Sequence, residues 1–448
     1  MLTEVDRKKK CDGEAPSCRA CRRLGLSCAG YGPELLWEDD ARRDGMRRRG
    51  PRGVVRLPLL AWPSTSFPGG PLNAARALLW DQYIHRFCNV FPSYPGRQSP
   101  FFSVLATRAR QSAMVLEALL AVSGAQTWGQ TWGHDAAALQ YEMLQAKQRA
   151  LAGCRQMLGR LDGADETDGA DDQLVDLLAT AVLLLLHEKF CGAAQGNWQP
   201  HLTFINHVFS STRLRRLLGA GLSDAHADPV LAAAVRFLHG LFTYNDLVAS
   251  TSLRQPPLSR FYIDGLREHK TDAHSQYRFP HLIARISAGD TSLRAAEIRQ
   301  WSGRMDWFPS VPATAEELGS QASLPSDQAD IAELYRDAAM AYYEQQQQQT
   351  TPAVHSLVVA MRRVRRLPAS SPWANALLWP ISILAPHLPR ALAAERQYVC
   401  ERLDALERRF HMKQFSCVKQ MLVGVWREAD RPLESAASRP AEHAILQG

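Results

Sequence analysis

Apolar residues recur at steps of three, four and seven along most of this 448-residue chain. Such steps place side chains on one face of a helix, whereas strands require alternation of apolar and polar residues. No long segment alternates, so the spacing predicts an all-α fold over residues 73–432. The clearest sets are Leu79, Trp80, Tyr83, Ile84 and Phe87; Leu144, Leu151, Leu158 and Leu161; Val399, Leu403, Leu406 and Phe410; and Phe415, Val418, Met421, Leu422 and Val425.

The longest apolar run, 177–186, is interrupted only by Thr180. It is too short to span a bilayer and is typical of a buried core helix. The first residues contain no apolar segment of the kind found in secretory signals. We therefore expect a soluble intracellular protein with no membrane partner.

Composition and length divide the chain into several parts. A chain of this length predicts two or three domains. Residues 31–72 are rich in Gly, Pro and Arg and have no heptad pattern, which indicates a flexible linker rather than a coiled coil. Any homodimer would then form through the helical domain. The predicted parts are a cysteine-rich module over 1–30, the linker over 31–72, the helical domain over 73–432 and a tail over 433–448.

Positive charge is concentrated at the N-terminus. The net charge is +7, and residues 1–56 hold 14 Lys and Arg against 9 Asp and Glu. A local positive field favours a polyanionic partner such as DNA. A solvated basic tail or a nuclear localisation signal would have the same charge, so both remain alternatives.

Four of the nine cysteines, Cys11, Cys18, Cys21 and Cys28, lie within 18 residues. Cysteines clustered this closely in a reducing compartment indicate metal ligands, and a two-residue gap lets two thiolates reach one tetrahedral zinc ion. The other five cysteines are scattered and are expected to be small buried hydrophobes. Cys154, for example, is predicted to share a helix face with Leu144, Leu151, Leu158 and Leu161.

The segment Lys8-Lys9-Lys10-Cys11-Asp12-Gly13-x-x-Pro16-x-Cys18-x-x-Cys21 resembles the fungal six-cysteine binuclear zinc cluster. In that family six cysteines bind two zinc ions, and the four cysteines here match the third to sixth. The resemblance implies a zinc-containing, DNA-binding RNA polymerase II transcription factor in the nucleus.

The first two cysteines of the family pattern would fall at Met1 and Glu4. Either an upstream coding segment supplies them, which we favour, or the cluster is degenerate. Without those two, the resemblance implies that Cys18, Cys21 and Cys28 remain three ligands of one ion, whereas Cys11 and Cys18 alone would hold the other ion poorly. Structural zinc sites need four ligands, so the sequence as it stands predicts at most about one weakly held zinc.

The family also implies how DNA would be read. Its base contacts to a CGG triplet come from adjacent basic residues, which correspond here to Arg7 and Lys8, while Lys9 and Lys10 would lie near phosphates. Arg and Lys pair well with the N7 and O6 acceptors of guanine, which agrees with such a site.

The larger region resembles the second subgroup of the fungal-specific transcription factor domain, which implies a helical regulatory domain that contacts the transcription machinery. Trp198, His201 and Trp379 are nevertheless expected to be packing residues with satisfied polar tips. The matching pieces are Pro100-Phe101-Phe102, 116–125, Glu188, 198–202, Asn245-Asp246, 378–380 and Val425-Trp426.

Two other classes of function are alternatives, a metal-dependent enzyme and a regulator that does not bind DNA. Asp171, Asp172 and Asp176 invite comparison with magnesium-binding terpenoid synthases, but the second metal motif would need Ser or Thr at Ala249 and Glu at Leu253. The sequence therefore predicts that the protein is not an enzyme. The remaining alternative is a regulator that has lost DNA binding and acts through protein contacts.

Overall fold

The computed structural model describes residues 67–90, 99–127, 134–161, 170–192, 197–219, 228–259, 278–301, 303, 326–347 and 350–431. The chain divides into two units, Met1–Thr65 and Ser66–Gly448, and every described residue belongs to the second. Within these segments the regular structure is helical and contains no strand, which confirms the all-α prediction for this part of the chain.

The first half of the unit contains, in chain order, α1 Ala74–His85, α2 Thr107–Ala109, α3 Ala113–Thr127, α4 His134–Leu161, α5 Ala170–Cys191, α6 Gln199–Phe209, α7 Thr212–Gly219 and α8 Pro229–Leu253. The second half contains α9 Arg278–Ser287, α10 Ala295–Arg299, α11 Ser326–Gln347, α12 Val354–Arg366, α13 Leu378–Leu384, α14 Ala393–Phe410 and α15 Gln414–Ala429. A π-helical segment, Phe101–Ala106, leads directly into α2.

Helix α5 lies at the centre of the unit, in contact with α3, α4, α6, α7, α8 and α15. Its apolar run over 177–186 is buried throughout, because partners on several sides leave no face for solvent. Thr180 is accommodated within this run because its hydroxyl donates to the Asp176 carbonyl one turn earlier. The predicted core helix is therefore confirmed.

The end of α5 requires a glycine. Gly192 has a φ of +71°, the left-handed conformation that commonly ends helices. A Cβ at this position would also lie 2.8 Å from Cβ of Lys413. The turn therefore requires a residue without a side chain, both because of its backbone angle and because of its close contact with the start of α15.

Helices α3 and α4 pack closely because a glycine on each helix faces a methionine of the other. A Cβ on Gly124 would come within 2.6 Å of Met143, and one on Gly153 within 3.1 Å of Met114. The buried apolar residues of α4 are Met143, Ala146, Ala150 and Cys154.

The predicted partners of Cys154 were therefore partly wrong. Leu144 is 43% exposed, and Leu151 and Leu158 are only partly buried. The apolar leucines form one stripe on the helix, but the smaller residues on the adjoining stripe allow the closer approach to α3 and occupy the core. The volume of the side chains therefore determines which stripe of α4 is buried, and hydropathy alone does not predict this.

An ion-pair cluster joins α1, α3 and α4. Arg76 donates to Glu117 at 2.7 Å and to Glu142 at 3.0 Å, and Arg149 is bonded to the same two carboxylates. Two arginines thus balance two carboxylates. Arg76 and both glutamates are 15% exposed or less, so the cluster is largely withdrawn from water.

The second half of the unit is built around aromatic side chains contributed by several helices. Phe279 of α9 packs against Trp301 and Trp379, with ring centroids 4.4 and 5.8 Å apart. Tyr335 of α11 lies 4.9 Å from Trp379 of α13. These rings fix the packing of α9, α11 and α13.

None of the helices in the described segments is long and apolar enough to cross a membrane.

Candidate zinc and DNA-binding module and the motifs of the helical domain

The residues predicted to bind zinc and DNA lie outside the described residues. They are Cys11, Cys18, Cys21 and Cys28 for zinc, and Arg7, Lys8, Lys9 and Lys10 for DNA. Their roles therefore remain predictions from the sequence. The described residues do test whether the helical unit contains other side chains that could bind a metal ion.

The five remaining cysteines are free thiols spread over the helical unit. Burial raises the pKa of both Cys88 and Cys154 to about 12, so neither is a thiolate at neutral pH. Cys88 and Cys154 are buried as predicted, whereas Cys191, Cys400 and Cys417 are only partly buried. No group of three or more His, Cys, Asp or Glu among the described residues could hold a metal ion.

By contrast, the N-terminal module contains four cysteines at a spacing that suits a tetrahedral thiolate site. Thiolate donors are soft ligands that favour zinc over magnesium or calcium. The donor set therefore fits zinc.

Glu188 and His201 lie in a polar cluster between α4, α5 and α6. Glu188 is buried and accepts from Lys147 Nζ, an ion pair that compensates the buried carboxylate. His187 Nδ1 lies 3.1 Å from the Ala121 carbonyl, and burial lowers the pKa of this imidazole to about 4. Burial also lowers the pKa of His201. Both histidines are therefore neutral at physiological pH, and the motif acts as an interhelical contact.

Trp198 and Trp379 were expected to pack with satisfied polar tips. Trp379 is fully buried and donates from Nε1 to the Thr251 hydroxyl at 3.1 Å, and Trp426 donates to the Ala385 carbonyl at 2.9 Å. Trp198 is equally buried, but its Nε1 has no hydrogen-bond partner among the described residues. The expectation is confirmed at Trp379, whereas for Trp198 only the packing is confirmed, because its polar tip has no partner among the described residues.

Asp246 is a structural anchor at the end of α8. Its two carboxylate oxygens accept the backbone N–H groups of Leu258 and Ser259, each at 2.8 Å. This fixes the segment that follows the helix. The neighbouring Asn245 donates from Nδ2 to the Leu241 carbonyl at 2.7 Å.

The aspartates that suggested a magnesium site are bound to arginines instead. Arg108 donates to Asp172 at 3.0 Å and also pairs with Asp176, while Arg213 lies 3.7 Å from Asp171. Burial raises the pKa of Asp176, and the Arg108 guanidinium opposes that effect. These carboxylates hold α5 to the segments that precede and follow it, which is a structural role.

Lys189 is a residue that the sequence did not single out. It lies in the last turn of α5, is 3% exposed, and its Nζ has no hydrogen-bond partner among the described residues. A lysine in the last helical turn is common at the surface, where it complements the helix dipole. Nothing in the sequence indicated burial.

Comparison with known families assigns the chain to a class of protein, the fungal transcription regulators. Two family models match the chain. The model for the fungal Zn(2)-Cys(6) binuclear cluster domain matches residues 6–37, and the model for the fungal specific transcription factor domain matches residues 77–436. The chain therefore belongs to the fungal specific transcription factor domain family. The zinc cluster domain binds zinc and DNA, and neither family is enzymatic.

A curated relative supports the same class. The chain is 48% identical over 40 residues to "Pestheic acid cluster transcriptional regulator 3" of Pestalotiopsis fici. The match covers 8% of this chain and 7% of the relative. No solved structure matches this chain.

Proposed function

We propose that this protein is a nuclear, sequence-specific RNA polymerase II transcription factor that binds CGG-type sites through its zinc module. The observation that carries the proposal is the match of residues 6–37 to the binuclear zinc cluster domain, in a segment that contains four cysteines and the basic run Arg7–Lys10. The relative's name supports a role in transcription, without identifying the genes that this protein regulates.

Cys11, Cys18, Cys21 and Cys28 would hold the metal, which supplies the folding energy of such a small module when bound. A folded module would present Arg7 and Lys8 to guanine edges in the major groove. Lys9 and Lys10 would contact phosphates, which position the protein without reading sequence.

The helical domain would regulate this binding and contact the transcription machinery. A homodimer, if formed, would use the same domain, because residues 31–72 lack the apolar heptads of a coiled coil.

Replacing Cys21 tests the metal account, since it removes one ligand from the two-residue pair. We expect at most about one weakly held zinc per wild-type chain by elemental analysis. Cys21→Ser should lose this zinc together with any preference for a CGG duplex over a scrambled one. Cys400→Ser, which changes a partly buried cysteine of α14, is the matched control and should retain both.

Full zinc content in Cys21→Ser would contradict the ligand assignment, as would two tightly bound zinc ions in the wild type. A wild-type chain that binds zinc but shows no preference for CGG would favour the other class, a regulator that acts through protein contacts alone.

A further inference from the structure

The buried ammonium group of Lys189 has no counter-charge among the described residues. Its Nζ lies 5.3 Å from the centroid of the Tyr244 ring and is shielded from solvent. Transferring an ammonium out of water costs several kcal/mol unless acceptors or an opposite charge replace the lost hydration. The ring face compensates only part of this cost.

No carboxylate among the described residues forms an ion pair with Lys189. Glu188, the residue before it, is bound to Lys147 on α4. Burial is the single cause that lowers the pKa of Lys189, to about 7, with no opposing contribution from an acidic neighbour. Lys189 therefore differs from the buried Glu188 and the partly buried Asp176 of the same helix, which both have partners.

Two more buried polar groups without described partners occur on helices that pack against α5. Trp198 Nε1, at the start of α6, is a donor, and Asn245 Oδ1, next to Tyr244 on α8, is an acceptor. Helices α5, α6 and α8 contact one another. Buried polar groups in proteins are nearly always hydrogen-bonded. Lys189, Trp198 and Asn245 are three of several buried side chains with an atom that lacks a described partner, and their position on three adjoining helices points to a bound molecule.

The surroundings of Lys189 are aromatic. The Tyr244 hydroxyl is hydrogen-bonded to Tyr335, and the Tyr335 ring packs 4.9 Å from Trp379. Ligand sites commonly combine apolar and aromatic walls with a few polar groups that fix orientation. A ring-bearing ligand with one anionic end matches this combination.

We propose that Lys189 binds the carboxylate of a small aromatic acid in the interior of the helical domain. The carboxylate supplies both the acceptors and the negative charge that the ammonium lacks, and a charge-assisted hydrogen bond of this kind is strong. The aromatic body of the ligand packs against the rings around Tyr244. Such a molecule is an effector of the helical domain, independent of how the N-terminal module reads DNA.

Thermal unfolding of the full chain tests this with sodium benzoate and sodium phenylacetate as probes. Benzamide and phenylacetamide are the neutral controls of matched shape. At ten times Kd, a carboxylate should raise Tm by about 2 °C for a unit of this size, and the amides should not. Lys189→Met should lose the carboxylate-specific shift, whereas Lys419→Met, a lysine on the surface of α15, should keep it.

If Lys189→Met does not fold, Lys189→Gln serves instead, because it retains polarity without the charge. The proposal is overturned if neither carboxylate shifts the wild type more than its amide. It is also overturned if the shift persists in the neutral variant. Neither outcome depends on DNA binding, so a failure here leaves the zinc and DNA account intact.

Discussion

At Lys189, burial couples the stability of the fold to pH. Its pKa falls from 10.5 in the unfolded chain to about 7 in the folded protein, and burial is the cause. Between these values the unfolded chain binds more protons, so stability rises with pH across this range. Below about pH 7 the ammonium is charged in both states and the full burial cost is present.

Lys189→Met should remove this pH dependence while keeping the volume of the side chain. We expect the stability of the wild type to rise by about 1.4 kcal/mol per pH unit relative to the variant between pH 7.5 and 9. Urea unfolding at pH 7.5, 8.2 and 9, without added carboxylate, measures the difference. Other titrating groups, including the buried Tyr244 hydroxyl, are common to both proteins and cancel. Parallel pH profiles would show that Lys189 is not desolvated.

Single residues were predictable where hydropathy alone determined their environment. Trp379 is a large aromatic residue within an apolar segment, and it is fully buried as expected. Lys189 was not predictable, because its burial depends on Tyr244, which lies 55 residues away in the sequence. A single amino-acid sequence gives no sign of the contact between Lys189 and Tyr244.

Among the helical elements, α1, α3 and α4 are joined by the cluster of Arg76, Glu117, Glu142 and Arg149. The apolar spacing predicted helix faces here but gave no sign of the cluster, since its members are separated by up to 73 residues. Periodicity identifies which residues share a helix face, whereas pairing between helices depends on their arrangement.

Arg76→Met should destabilise the protein, because it leaves two largely buried carboxylates with one arginine. We expect a loss of about 2–4 kcal/mol by urea unfolding. Arg366→Met is the control, since Arg366 is 63% exposed in its pair with Asp330. An exposed pair contributes about 0–1 kcal/mol, so the control should change little. Similar losses in both variants would contradict a special role for the cluster.

At the scale of the whole molecule, the all-α fold and the family were predictable, and one packing face was not. The 3.6-residue period over 73–432 and the cysteine spacing over 11–28 are local patterns, which a sequence reports directly. The buried face of α4 was chosen by the close approach of small residues to α3, which depends on side-chain volume across two helices. The domain boundaries and the zinc and DNA residues stay predictions.

The central claim is that the basic run before Cys11 reads sequence rather than only attracting phosphates. It is tested most directly by fluorescence anisotropy at fixed salt, with a CGG duplex and a scrambled duplex of the same length. In a chain with the first two cysteines of the family pattern restored, Lys8→Ala should lose about 1–3 kcal/mol on the CGG duplex and much less on the scrambled one. Arg48→Ala, in the linker, should weaken both alike, because phosphate contacts carry no sequence information. Equal losses on both duplexes for Lys8→Ala would contradict the account.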